Sequence, residues 1–164
     1  MKTNRKIAVV DVYPIYNELI TESIKNNVDY KSNLEVTSFH NAESLIESIT
    51  REDYCPDLVF TDYDLSGPFE GGFMNGEELL KNMNDKKPAA KVVVVSAHKN
   101  KHLIKSTLHN NAYDFIVKDQ NAVSNVLNKM EEVFTVMKKE KLARMQNSIK
   151  VGMCVCVAAC LIMT

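Results

Sequence analysis

Short apolar runs alternate along this chain with segments whose apolar residues recur every three or four positions, and that alternation leaves few folds open. The runs, at residues 7–10, 34–37, 58–60, 92–95 and 115–117, have the length and the β-branched character of strands. Between and after them, apolar residues fall on one helical face: Ile15, Leu19, Ile20 and Ile24; Leu45, Ile46 and Ile49; Leu79, Leu80 and Met83; Leu103, Ile104 and Leu108; then Val123, Val126, Leu127, Met130, Val133, Phe134 and Met137. Strands that are nearly continuous in apolar residues, not apolar on alternate residues only, expect cover on both faces. The pattern predicts an α/β fold, a doubly wound five-stranded parallel sheet with five helices. Helix starts are marked by Pro14, by Asn41 before Ala42-Glu43-Ser44, and by Asn75-Gly76 before Glu77-Glu78.

Composition narrows the function. At 164 residues the chain is one ordinary domain with a little over, and 45% hydrophobic residues are enough for a core. Lys plus Arg number 20 against 21 Asp plus Glu, so no net field draws in nucleic acid or an anionic membrane, and partners must be recognised locally. Cys55 stands alone while Cys154, Cys156 and Cys160 crowd the end without C-x-x-C spacing. That excludes a disulfide framework and suits a reducing cytosol. The first residues carry no secretory signal, and the spacing of His40, His98, His102 and His109 suggests no metal site.

In open α/β sheets ligands sit beyond the carboxyl ends of the strands. The first strand ends at Asp11, the third at Asp62 with Asp64 two residues on, the fourth at Ser96 and the fifth at Lys118. Singly these are turn formers, helix caps or solvated charges. Together they place carboxylates, a hydroxyl and an ammonium on one edge, and carboxylates cluster only where a cation stands among them. Such a set suits phosphoryl transfer to an aspartate, with Asp62 as nucleophile, Lys118 and Ser96 contacting the phosphoryl group, and Mg²⁺ as the natural cation.

These residues resemble a response-regulator receiver domain of two-component signalling. The matching motifs are Ile7-Ala8-Val9-Val10-Asp11, Pro56-Asp57-Leu58-Val59-Phe60-Thr61-Asp62, Met74-Asn75-Gly76, Val93-Val94-Val95-Ser96-Ala97 and Ala112-Tyr113-Asp114-Phe115-Ile116-Val117-Lys118, within residues 5–137. The resemblance implies a flavodoxin-like sheet of order 2-1-3-4-5, Asp62 as phosphoacceptor, Lys118 as phosphate partner, Ser96 as switch hydroxyl and a metal site at Asp11, Asp62 and Asp64. Phe115 is then the switch aromatic, or else a strand residue packed in the core. It further implies phosphorylation by a sensor histidine kinase or phosphotransfer protein and signalling by protein contact, with homodimerisation open. Such a chain is a phosphoacceptor, not a conventional enzyme.

Three departures stand out. Val12 occupies the position of a second acid, which weakens the expected Mg²⁺ site, and Asp64 is a candidate to compensate. The stretch between Asp62 and Gly76 is longer than usual, either a gate or partner site or a tolerated surface loop. Asp119 stands where the family carries proline. The long loop and the Lys-Asp ending are similar to receivers from Bacteroidetes.

The expected organisation is a receiver at residues 1–137, a basic helical extension at 138–150 and an apolar tail at 151–164. Met137, Leu142, Met145 and Ile149 continue the last helix's stripe. Fourteen tail residues make a helix of about 21 Å, short of the ~30 Å hydrocarbon core, so the tail reads as a membrane anchor on the cytosolic face, a self-association helix or a disordered end. No output domain is expected, neither a helix-turn-helix nor, without a glycine-rich phosphate loop, a nucleotide- or flavin-using enzyme. The main alternative is a pseudo-receiver, a binding module that acts without phosphorylation.

Overall fold

Each expected strand forms and extends one or two residues beyond its apolar run: β1 (Arg5–Val10), β2 (Leu34–Phe39), β3 (Leu58–Thr61), β4 (Lys91–Ser96) and β5 (Asp114–Val117). The computed structural model describes residues 4–27, 33–65 and 73–162, with side chains as far as residue 147. All neighbouring strands are parallel, in the order β2-β1-β3-β4-β5. The pairings Val10↔Thr61, Thr61↔Val94 and Ser96↔Val117 bring the carboxyl ends of the inner strands to one edge. β3 and the last five residues of β4 are buried throughout, while β2 at the rim is half-buried.

Five helices alternate with and follow the strands among the described residues: α1 (Pro14–Lys25), α2 (Ala42–Thr50), α3 (Gly76–Lys86), α4 (Lys101–His109) and α5 (Ala122–Ile162). Leu45 and Ile49 of α2 with Leu79, Leu80 and Met83 of α3 share one buried cluster with Ala8, Val10, Val59, Val92 and Val94. Those strand residues are alternate positions, so they line one face of the pleat. Their neighbours Val9, Phe60 and Val95, facing the other way, line a small cavity together with Ile20 of α1.

The marked caps are used. The Asn41 side chain accepts from Ser44 N at 2.8 Å. Asn75 accepts from Glu77 N and Glu78 N at 3.0 Å while Glu78 Oε2 accepts from Asn75 N, a reciprocal capping box. Pro14 opens α1, and Asn100, not Ser96, caps α4 through His102 N.

Two helical faces differ from the apolar pattern. In α1, Ile15 is 85% and Leu19 47% exposed, and the buried positions are Asn17, Ile20, Thr21 and Ile24. Asn17 sets that rotation: its amide donates to Asp11 O at 3.1 Å and Phe39 O at 2.7 Å, joining the ends of β1 and β2, and its carbonyl accepts from Thr21 Oγ1. A buried amide with partners on both sides is tolerated where a free one is not. In α4 only Thr107 is buried and Leu108 is exposed.

The chain divides into compact units at residues 1–128 and 129–164. Within the second, α5 carries buried Met130 and Val133, but Leu142 and Met145 are more than half exposed, so the apolar periodicity continues where burial does not. Periodicity marks a face; burial needs something to cover it. Ile149, the tail side chains from 151 on, and the loop residues 66–72 lie outside the described residues. Among the described residues no helix is long and apolar enough to cross a membrane.

Gly76 holds α3 against the end of β3. Its amide donates to Tyr63 O at 2.9 Å, and a Cβ there would stand 2.7 Å from Tyr63 Cα and 2.8 Å from Asp62 O. Backbone, not a flexible side chain, would have to yield. Gly76→Ala is expected to cost about 1–3 kcal/mol, read as a lowered urea midpoint with an unchanged slope.

Candidate functional site

The ladder continues one residue past three of the strands. Asp11 N donates to Phe39 O at 3.1 Å, Asp62 N to Val10 O at 2.8 Å and Lys118 N to Ser96 O at 2.8 Å. The backbones that carry the expected site are therefore still held by sheet hydrogen bonds where their side chains leave the sheet. Lys118 reaches across: its Nζ lies 2.6 Å from Asp11 Oδ2 and 2.5 Å from Asp62 Oδ2, with only 9% of the lysine side chain and 6% of each aspartate exposed. The outer oxygens take backbone donors, Asp11 Oδ1 from Tyr13 N at 2.9 Å, and Asp62 Oδ1 from Tyr63 N at 2.6 Å and Asp64 N at 3.3 Å. Over the ammonium lies the Tyr16 ring, its centroid 4.5 Å from Nζ.

Burial and pairing pull these groups in opposite directions. Burial raises the Asp62 pKa and outweighs the hydrogen bond and charge of Lys118, with Asp11 adding to the rise. For Lys118 burial alone would lower the pKa, but the hydrogen bonds and charges of Asp11 and Asp62 prevail and raise it. Burial also raises Tyr16, against the pull of Lys118. The ammonium is thus kept through neutral pH, and the site's cost is concentrated in the ionised Asp62.

The other expected residues stand at different distances from this centre. Ser96 is buried at the same edge, its Oγ accepting from His98 N at 3.3 Å. The Asp64 side chain is exposed and meets Asp62 through its backbone. Phe115 is half-buried, packed against the core cluster. Val12 is buried in that cluster and offers no oxygen. Tyr16 and Asn17 are additions that strand-end reading passes over; their signal is a position one turn into the helix after Asp11.

In this arrangement Asp11 and Asp62 have few oxygen lone pairs left for a hydrated divalent ion. Every oxygen of Asp11 and Asp62 already accepts from the protein. Beneath them a void of about 10 Å³, lined by Val9, Ile20, Phe60 and Val95 as well as Asp11, Tyr16 and Asp62, has room for one water at most. Among the described residues no three His, Cys, Asp or Glu side chains gather as a metal site. Lys118 holds the place of neutralising cation.

Removing it has a signed consequence. Lys118→Met leaves two buried carboxylates facing each other, and is expected to lower stability by about 3 kcal/mol at neutral pH. A buried acid with a raised pKa costs stability above its ordinary value and is relieved as pH falls through the raised one. The deficit against wild type should therefore shrink between pH 7.5 and pH 4.5 in urea titrations. A deficit independent of pH would place the loss in packing.

The family model described as "Response regulator receiver domain" matches residues 7–131. No curated protein matches. Among solved structures, NtrX from Brucella abortus in complex with ATP superposes with a TM-score of 0.70 at 25% identity, covering 85% of this chain and 29% of that one. The chain thus spans less than a third of the NtrX protein it resembles. The receiver domain of NtrX taken alone gives a TM-score of 0.65 at 27% identity, covering 77% of this chain and 96% of that one. The signal receiver domain of a putative Luxo repressor protein from Vibrio parahaemolyticus shares the fold, with a TM-score of 0.69 at 18% identity over 85% of this chain and 97% of that one.

Proposed function

The chain belongs to the response regulator receiver family, and on that premise we propose that it is a phosphorylation switch whose phosphoacceptor is Asp62. The observation that carries this reading is the meeting of Asp62 with the Lys118 ammonium, delivered from a strand two places away in the sheet. Receivers accept phosphoryl groups from sensor histidine kinases or phosphotransfer proteins, and a donor of that class is the partner proposed here. An Asp62 carboxylate oxygen attacks phosphorus, a P–O bond forms as the P–N bond of the donor's phosphohistidine breaks, and the departing imidazole takes its proton from solvent. Lys118 exchanges its contact with the carboxylate for the incoming phosphoryl oxygens, and the Ser96 hydroxyl joins them as hydrogen-bond donor.

The signal then leaves by protein contact through α4 and β5. Thinly buried α4 and half-buried Phe115 support that route, since elements with few buried contacts shift at least cost. Residues 1–137 form the receiver in this reading, with residues 138–150 as a basic helical extension. A binding module independent of phosphate has less to recommend it, because such a module has no need of buried carboxylates around an ammonium.

Acetyl phosphate with intact-mass detection tests the acceptor: wild type gains a single phosphoryl adduct and Asp62→Asn gains none. An adduct retained in Asp62→Asn would move the acceptor elsewhere.

Receivers typically hold Mg²⁺ at their acidic pocket, and with Val12 in place of an acid this one is proposed to bind it weakly. Val12→Asp restores a carboxylate and is expected to tighten Mg²⁺ by about tenfold or more in calorimetric titration. Equal affinities in the two proteins would show that Val12 is not what limits the metal.

A further inference from the structure

The Tyr16 ring has no part in the phosphotransfer chemistry assigned to Asp62, Lys118 and Ser96, yet it lies over the ammonium that the two carboxylates hold. Its distance of 4.5 Å falls well inside the ~6 Å reach of a cation–π contact. Two other lysines stand over tyrosine rings among the described residues, Lys6 over Tyr54 at 5.4 Å and Lys91 over Tyr113 at 5.7 Å. The Tyr16 contact is shorter, and its cation is far more sheltered, 9% exposed for Lys118 against 35% for Lys6. Desolvation is what gives such a contact strength. Tyr16 is only part-buried and absent from the apolar core, so core packing does not account for its placement. It lines the small cavity with Asp11, Thr61 and Asp62.

We propose that Tyr16 is a positioning residue whose ring face holds the Lys118 ammonium between Asp11 and Asp62, so that this lysine, and not a divalent ion, neutralises the site where Val12 has replaced an acid. The inference rests on Asp62 being the phosphoacceptor. Three contacts then fix one cation, two carboxylates below and one ring above. When a phosphoryl group arrives, the carboxylate contacts are exchanged for phosphoryl oxygens while the ring contact persists. That persistence keeps a long, otherwise mobile side chain aimed at the charge that develops in transfer. The ring face acts, not the hydroxyl, so phenylalanine should serve as well as tyrosine.

The test measures the rate of acetyl phosphate labelling by intact mass, in EDTA and again with Mg²⁺, for wild type, Tyr16→Phe, Tyr16→Leu and Tyr16→Met. Wild type is expected to label in EDTA, Tyr16→Phe to stay within about twofold of it, and the leucine and methionine variants to fall by about tenfold, the scale of one desolvated cation–π contact. Independently of any variant, the Lys118 ε-methylene protons of wild type should show an upfield ring-current shift by NMR. Equal rates for tyrosine, leucine and methionine overturn the inference alone. So do a phenylalanine variant as slow as leucine, a wild type that labels only with Mg²⁺, or unshifted Lys118 protons. A wild type that labels in neither buffer overturns the phosphoacceptor reading and this inference with it.

Discussion

One ammonium between two buried carboxylates is the interaction on which the rest of this molecule is arranged. Asp11 and Asp62 leave neighbouring strands side by side, and two such charges out of water repel unless a cation stands between them. The cation comes from β5, with β4 intervening, so the strand order and the alignment of strand ends are conditions for the site to exist. The ladder bonds that run one residue beyond β1, β3 and β5 meet that condition by fixing the backbone of each member before its side chain departs. Gly76 adds a constraint from below, letting α3 abut the carbonyl of Asp62.

The same arrangement is poised, not relaxed. Burial raises the Asp62 pKa against the pull of Lys118, so the charged form of the carboxylate carries a cost that its partners offset only in part. Val12 and Tyr16 shape the site further: one withdraws an oxygen from the pocket, the other lays a ring over the ammonium.

Much of this was legible in the residues. Buried parallel strands must be apolar throughout, so their runs stand out, and the polar residues at the carboxyl end of each run are the ones the sheet's edge will carry. Asn41 and Asn75 were readable because a cap acts on amides two or three residues away. The rotation of α1 was not. Ile15 and Leu19 look like core by spacing, but Asn17 turns them outward because its amide has two carbonyls to satisfy, one on β1 and one on β2. Leu142 and Met145 mislead for the converse reason, an apolar face without burial. Tyr16 carried only a positional signal, and a tyrosine in a first helical turn has many ordinary uses.

Local order along the chain determined the strands, most helix starts, and which carboxylates, hydroxyl and amine would end up at one rim, since each of these depends on residues within a few positions of one another. Only the tertiary structure decided that Lys118 touches Asp11 and Asp62 together, that Tyr16 covers it and that Asp64 looks outward. Those outcomes depend on the alignment of strands separated by up to 107 positions in sequence, and on how helices rotate to satisfy buried polar groups. No periodicity within one segment encodes either.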